Sequence, residues 1–321
     1  SAVTYEDVKA TDTYAEAIDI LSNLKILDGF KTSDDKYEFR ADGTLTRAQA
    51  AKIVAIVHNA ATNGKIQSDI ADLYANAQNP FVDCNGNWAL PYINYCRITG
   101  LADGMTATTY APKREVTGVQ FLKLMLTTLN FDTSKEGYTG TGWDINVLNR
   151  ANEIGLTAGL ADGWKAIAPV TRGEAAQILV NALTAYLVEY GTKIKAPTSI
   201  DYSPVAQTKA DDAYIAAYDK AYSAAKTAGK TDAEAEDAGI VAGKKAYDEV
   251  WAKFGVNGLF DVAFVSGETV NKTGLTLASK MGITVKADND KFMRPGTTWK
   301  YGSWSKFYMD TAKATYNTAV S

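Results

Sequence analysis

The chain of 321 residues is 46% apolar and 22% charged, a composition that is typical of a globular protein and excludes a disordered one, and its length is sufficient for two domains. Its 33 Lys and Arg residues are outnumbered by 37 Asp and Glu residues, which excludes the basic surface that nucleic-acid binding requires. No uninterrupted apolar stretch is long enough for a transmembrane helix, so we predict no membrane span.

The first predicted pair of helices lies between Tyr14 and residue 60. Tyr14 opens an apolar helical pattern that ends at Gly29, where a glycine can adopt the left-handed conformation that terminates a helix. Thr46 follows a polar turn, and Gln49 stands three positions after it, which predicts a capping box at the start of a second helix. The sequence therefore predicts a unit of helix, turn and capped helix.

This unit occurs twice more along the chain. The residues that correspond to Tyr14, Gly29 and Thr46 are Trp88, Gly104 and Thr117 in the second repeat and Trp143, Gly159 and Thr171 in the third. A period of about 50 residues indicates a repeat architecture, in which each unit buries its apolar face against its neighbours. We expect one mainly α domain over residues 1–195, with repeats at about 5–60, 78–132 and 139–190.

Two pairs of residues in these repeats allow more than one interpretation. Cys84 and Cys96 either form a disulfide, if the environment is oxidising, or remain as two unpaired thiols in a helical core. Trp88 and Trp143 either pack in the core or line a groove.

The composition changes after Ala196-Pro197, which we interpret as a domain boundary. Tyr214, Tyr218 and Tyr222 stand at four-residue spacing, and a row of small residues follows a further cap at Thr231. These patterns predict an antiparallel helical hairpin over about 209–255. The tyrosine row either packs against the second helix or forms an aromatic strip that binds sugar.

A β-rich region is predicted from 259 to 320, because the apolar pattern changes to a period of two residues. Strands are expected at 260–264, 283–285, 297–301 and 307–316, with one short helix within 275–280. Together with the hairpin, this region predicts a smaller α+β domain over residues 198–321.

The combination of an aromatic helix, a glycine turn and Thr-Arg-x-Gln/Glu at 46–49 and 171–174 resembles the S-layer homology family. The resemblance implies three consecutive modules in a pseudo-threefold domain, with grooves that hold the pyruvylated secondary polysaccharide associated with peptidoglycan. It also implies an extracellular protein at the cell wall that attaches a self-associating surface lattice. The stretch 292–299 resembles, more weakly, a segment that follows the modules in some large surface-layer proteins.

The resemblance assigns the polymer to a specific set of residues: Arg47, Arg172, Thr46, Thr171, Gly29, Gly104, Gly159, Trp88 and Trp143. An arginine directly after a cap lies at the positive end of the helix dipole, where unpaired backbone N–H groups also attract an anion. Without a ligand, the same arginine would be solvated or paired with a carboxylate. Gly118 replaces the arginine in the second module, so we expect two strong grooves instead of three.

Catalysis is not expected from these residues. The acidic residues do not form the pair that glycoside hydrolysis requires, and the chain lacks a phosphate-binding loop, a nucleophile motif and a set of metal ligands. We therefore predict a protein without a cofactor or a metal. The start of the chain by itself fits a cytoplasmic protein or a secreted protein after cleavage. The alternative function is an anchor for an exported enzyme or adhesin whose active part lies beyond residue 321.

Overall fold

The computed structural model describes residues 4–67, 69–192, 204–253 and 268–310. Contacts divide these residues into two units. The first unit contains the described residues up to 187 together with those from 274 to 310, and the second contains the described residues between 188 and 273. None of the helices in the described ranges has both the length and the apolar character that a membrane span needs.

The three repeats supply most of the first unit, and helices dominate its regular structure. In the first repeat the elements are α1 (Ala15–Asn23), the hairpin β1 (Phe30–Ser33) and β2 (Lys36–Glu38), and α2 (Arg47–Asn63). The short helix α3 (Ile70–Tyr74) leads to the second repeat, which contains a 3₁₀ turn (Val82–Cys84), α4 (Leu90–Ile98) and α5 (Gly118–Thr128). The third repeat contains α6 (Trp143–Glu153) and α7 (Arg172–Leu183).

All three predicted capping boxes are confirmed. The Thr46 hydroxyl accepts the N–H of Gln49 at 3.2 Å, and the Gln49 side-chain oxygen accepts the N–H of Thr46 at 2.9 Å. The same pair of bonds is present at the starts of α5 and α7. Because the cap requires an extended residue before the helix, each box fixes both the start of its helix and the direction from which the chain enters it.

A closed ring of backbone hydrogen bonds joins the three repeats through the residues that precede the caps. The N–H of Val116 donates to the carbonyl of Leu45 at 2.9 Å, and the N–H of Val170 donates to the carbonyl of Val116 at 2.8 Å. The N–H of Leu45 completes the ring by donating to the carbonyl of Val170 at 3.2 Å. All three side chains are buried, so the ring lies in the core.

The two cysteines are unpaired and buried, and no disulfide joins them. Burial raises the pKa of the Cys84 thiol to about 11 and that of the Cys96 thiol to about 12. Both thiols are therefore protonated at neutral pH and behave as small apolar core residues.

The three-stranded sheet near the end of the chain belongs to the first unit. It is antiparallel in the order β5 (Thr284–Asn289), β6 (Pro295–Tyr301) and β7 (Trp304–Met309), and the short helix α10 (Leu277–Lys280) precedes it. The Asp19 carboxylate in α1 accepts bonds from Lys306 Nζ at 2.7 Å and Tyr308 Oη at 2.6 Å. This region was predicted to form one domain with the helical hairpin over residues 198–321, whereas in the structure it packs on the repeats.

The second unit contains a helical hairpin formed by α8 (Pro204–Thr227) and α9 (Asp232–Ala252), as predicted. Tyr214, Tyr218 and Tyr222 stack along α8 with centroid separations of 6.1 and 6.0 Å. A Cβ at Gly243 would lie 2.7 Å from the Tyr214 ring, and one at Gly239 would lie 2.6 Å from the Tyr218 ring. The tyrosine row therefore packs against glycines of α9, which favours the packing interpretation.

Thr231 caps α9 through its hydroxyl, which accepts the N–H of Glu234 at 3.2 Å. The Glu234 carboxylate lies 3.8 Å from Lys230 Nζ. The strands β3 (Tyr186–Thr192) and β4 (Glu268–Thr276) pair with each other before and after the hairpin. The strand predicted at 260–264 lies outside the described residues.

Candidate functional site

Two hollows of similar construction open beside the capped helix starts. The first, which we call the Arg47 groove, has a volume of about 260 Å³, and its lining includes Arg47, Gly104, Lys123 and Trp143. The second, the Arg172 groove, has a volume of about 330 Å³, and its lining includes Arg172, Gly29, Lys52 and Trp88. Each groove combines side chains from all three repeats. The structure thus brings an arginine, a glycine and a tryptophan of the predicted set together twice.

The Arg47 guanidinium is bonded to the loop that precedes α5. Its Nε donates to the carbonyl of Tyr110 at 2.7 Å, and a terminal nitrogen donates to the carbonyl of Asp103 at 3.0 Å. The guanidinium carbon also lies 4.4 Å from the centre of the Tyr110 ring. These contacts cross from the first repeat to the second and fix the side chain at the edge of its groove.

Arg172 repeats this arrangement between the third repeat and the first. Its Nε donates to the carbonyl of Phe39 at 3.0 Å, and a terminal nitrogen donates to the carbonyl of Asp28 at 2.7 Å. The guanidinium carbon lies 4.7 Å from the rings of both Phe30 and Phe39. Only 8% of the residue is exposed, and this burial lowers its pKa, an effect that Tyr5 opposes.

Neither arginine forms a salt bridge with a carboxylate among the residues that the structure describes. Each uses two of its five N–H groups on neutral carbonyls. Arg172 is buried and Arg47 is half-buried, and the charges of Asp28 and Asp7 oppose part of the effect of burial on Arg172. The contacts of both side chains therefore differ from an internal ion pair, and a cation that is bonded to neutral dipoles can gain stability from an added anion.

The backbone amides at the helix starts contradict one part of the prediction. The N–H groups of Arg47 and Ala48 donate to the carbonyls of Arg114 and Pro112 at 2.8 and 2.9 Å. The third amide of α2 bonds to the Thr46 hydroxyl, and the starts of α5 and α7 are occupied in the same way. The expectation that these amides bind the anion is wrong, because neighbouring loops already use them. Thr46 and Thr171 accordingly act as caps.

A lysine in each groove was missed by the sequence analysis. Lys52 and Lys123 stand six positions after Thr46 and Thr117 respectively, a spacing that could have revealed them. Lys123 Nζ lies 5.4 Å from the centre of the Trp143 ring, and burial lowers the pKa of this lysine, an effect that Asp103 opposes. Lys52 Nζ lies 3.7 Å from the Asp28 carboxylate. Both grooves therefore contain a second cation.

Two carboxylates were also not predicted from the sequence. They hold the loops whose carbonyls accept hydrogen bonds from Arg47 and Arg172. Asp83 accepts the N–H groups of Tyr110 and Ala111 at 2.9 and 2.8 Å. Burial raises the pKa of this carboxyl, but the two amides outweigh it and keep the pKa below its ordinary value. Ala111 has φ of 57°, so the bonds stabilise an unfavourable turn next to the carbonyl that receives Arg47. Asp7 holds the Arg172 acceptor loop in the same manner.

The third equivalent position is built differently. Gly118 has the Trp164 ring against it, so the space that an arginine would need is filled. Gln177 replaces the lysine, and its amide carbon would lie 3.2 Å from a Cβ at Gly159. The hydroxyl of Tyr14 accepts the N–H of Ala161 at 3.1 Å. Of the three predicted glycines, Gly29 and Gly104 each line a groove together with an arginine and a lysine, and Gly159 does not.

Comparisons with known proteins identify a family and several relatives. Residues 4–51 match the S-layer homology domain family. The chain is 28% identical over 184 residues to the S-layer protein sap of Bacillus anthracis, and this match covers 55% of this chain and 21% of that protein. It is 29% identical over 218 residues to a cell surface protein of Thermoanaerobacter kivui, and this match covers 65% of this chain and 26% of that protein.

A further match is the exoglucanase XynX of Acetivibrio thermocellus, with 29% identity over 119 residues, or 34% of this chain and 11% of that protein. The matched stretches thus span between about a tenth and a quarter of these relatives. The S-layer homology domain and the S-layer and cell surface relatives indicate an extracellular protein associated with the cell wall.

Proposed function

We propose that residues 4–190 form an anchor of three S-layer homology modules in a pseudo-threefold arrangement, which binds a pyruvylated wall polysaccharide and holds a surface-layer protein on the cell. The observation that carries this proposal is a guanidinium, buried at Arg172 and half-buried at Arg47, whose hydrogen bonds go to neutral carbonyls, and which occurs twice beside a hollow of the same construction. The closed hydrogen-bond ring supports the threefold arrangement, since each repeat donates to one neighbour and accepts from the other.

The chemistry of a pyruvate ketal fits the side chains of each groove. The ketal carries a carboxylate on a sugar, and the remaining guanidinium N–H groups and the lysine ammonium can donate to it. The tryptophan offers an apolar ring to the face of the sugar. Each charge-assisted hydrogen bond contributes about 1.5–3 kcal/mol. Two grooves on one rigid unit increase the avidity for a polymer with repeated ketals, because the second contact becomes intramolecular.

The glycines have a structural part in this mechanism. A Cβ at Gly104 would meet the Phe81 ring and the carbonyl of Thr106, and one at Gly29 would meet the Tyr5 ring. The loops at the mouths of the grooves can therefore adopt their conformation only with glycine at these positions.

A pull-down with purified sacculi tests the function. We expect the intact chain to bind sacculi that retain the wall polysaccharide and not sacculi from which it has been removed. Replacing both arginines (Arg47→Lys with Arg172→Lys) should weaken binding roughly 100-fold, since lysine retains the charge but not the planar fork of donors. The matched control is Lys113→Ala with Arg114→Ala, which alters two exposed cations outside the grooves and should bind normally.

Thermal unfolding of each variant separates lost binding from lost structure, because Arg172 also joins two repeats. If the intact chain binds both kinds of sacculi equally, or if a folded double variant binds like the parent, the proposed function is wrong.

The second candidate is an anchor for an exported enzyme, which the similarity to the exoglucanase favours. In this case the grooves act identically and only the attached part differs. Sequencing the gene beyond residue 321 distinguishes the two. A catalytic domain would support the enzyme anchor, and a long β-rich extension would support the surface-layer protein.

A further inference from the structure

Two larger hollows adjoin the Arg172 groove within the first unit. One has a volume of about 610 Å³ and shares Asp28 and Lys52 with the lining of the groove. The other has a volume of about 690 Å³ and shares Asp28 and Gly29 with it. Because these residues border more than one hollow, the two larger hollows are direct neighbours of the Arg172 groove. The lining of the Arg47 groove contains no residue of the sheet, so the two grooves differ in this respect.

The turn between β6 and β7 forms one wall of both larger hollows. Ser303 and Trp304 line both of them, and Tyr301 lines the hollow of 610 Å³. Tyr301 and Trp304 are paired across a two-residue turn, in which Gly302 has the positive φ of 56° that tight hairpins require. The N–H of Ile66 donates to Tyr301 Oη at 2.8 Å, which fixes the turn beside α2.

Aromatic rings connect the Arg172 groove with this wall. Trp88 lines the groove and is 56% exposed, and its ring centre lies 6.4 Å from that of Tyr92 in an edge-on arrangement. Tyr92 lines the hollow of 610 Å³ together with Tyr301 and Trp304. Lys52 Nζ lies 5.9 Å from the Tyr92 ring, at the border between the two spaces. Polar side chains complete the hollow, and they include Asn23, Gln67 and Ser303.

We propose that these hollows form an extended subsite for further sugar residues of the same polysaccharide that enters the Arg172 groove. A pyranose ring has an apolar face and a rim of hydroxyl groups. The aromatic rings of the hollows can pack on the face, and the neighbouring amides and hydroxyls can form hydrogen bonds with the rim. The inference rests on the proposed function. It assigns a binding role to the β6–β7 turn and makes the Arg172 groove the one that prefers longer fragments.

The test uses wall polysaccharide that is released from sacculi with muramidase, partially hydrolysed, and separated by size into a pool with one polysaccharide repeat and a pool with several, both retaining the ketal. Binding to the full chain is measured by calorimetry. The variant Trp304→Ala should weaken binding of the long pool roughly three- to tenfold and leave that of the short pool unchanged. Trp304→Tyr should retain binding, since it keeps a ring. Tyr92→Ala changes the opposite wall and leaves the hairpin intact, so it should weaken binding of the long pool as Trp304→Ala does.

The matched control is Phe292→Ala, which removes an exposed ring from the turn at the other end of β6 and should not affect either pool. Wild-type affinity of folded Trp304→Ala and Tyr92→Ala for the long pool would overturn the subsite. The proposed function would still hold in that case if Arg172→Lys weakened binding of both pools. Failure of the intact chain to bind either pool would instead count against the proposed function itself.

Discussion

Arg47 and Arg172 connect pairs of repeats, in addition to the binding role that we propose for them. Each guanidinium extends from its own helix start to carbonyls in the loop of another repeat. The place of each arginine directly after a helix cap could be predicted from the sequence, because the Thr-Arg motif is local. The carbonyls that accept hydrogen bonds from Arg47 could not be predicted, since Tyr110 and Asp103 lie 63 and 56 residues away from it.

At Gly118 the structure predicts the effect of a substitution on stability. The Trp164 ring occupies the space that the methyl group of an alanine would need. We expect Gly118→Ala to destabilise the protein by about 1–3 kcal/mol, as overpacking of a core does. Thermal unfolding measures this loss.

The matching control is a double-mutant cycle with Trp164→Ala. If the ring causes the loss, Gly118→Ala should cost much less in the Trp164→Ala background than in the parent. Equal costs in both backgrounds would show that the loss comes from the backbone of the helix start and not from the ring.

The capped helices show which elements a sequence determines by itself. A threonine and a Gln or Glu three residues later each accept the backbone N–H of the other through their side chains, so nothing outside the motif is needed. The loops held by Asp7 and Asp83 depend instead on positive φ at Arg40 and Ala111, which no local motif indicated. The Trp164 ring fills the space beside Gly118 through packing between repeats, which no local motif indicates either.

We expect the cap of α7 to contribute to stability. Thr171→Ala leaves the N–H of Glu174 without its partner and should cost about 1 kcal/mol, whereas Thr171→Ser keeps the hydroxyl and should cost little. In a unit of this size the loss corresponds to roughly 2–4 °C in Tm. Calorimetric unfolding measures it, and equal melting of the Ala and Ser variants would mean that the hydroxyl bond contributes nothing.

At the scale of the whole molecule, long-range contacts decide the arrangement. Periodicity predicted three repeats, the helical hairpin and the strands β5 to β7, since these patterns are local. It could not predict that β6 bonds to the end of the first repeat, because Tyr301 and Ile66 are 235 residues apart in the chain. A small sheet needs an apolar surface to cover it, and here the repeats supply that surface.

This arrangement predicts how two deletions differ. A chain that ends after residue 192 loses α10 and the sheet, and with them the buried side chains Leu277, Met281, Ile283 and Trp299. Its repeats should melt roughly 5–10 °C lower than those of the intact chain, because apolar surface that the sheet covered becomes exposed. The domain boundary drawn from the sequence at about 195 predicts no such loss.

The control replaces residues 193–267 with a short Gly-Ser linker and keeps both the repeats and the sheet. Since the carbonyl of Ala185 accepts the N–H of Leu277 at 3.0 Å, the start of β3 lies beside the end of β4, and the sheet can stay in place without the hairpin. This chain should melt like the first unit of the intact protein. If the truncated chain is as stable as the control, the sheet does not stabilise the repeats, and residues beyond 198 form a domain of their own as the sequence suggested.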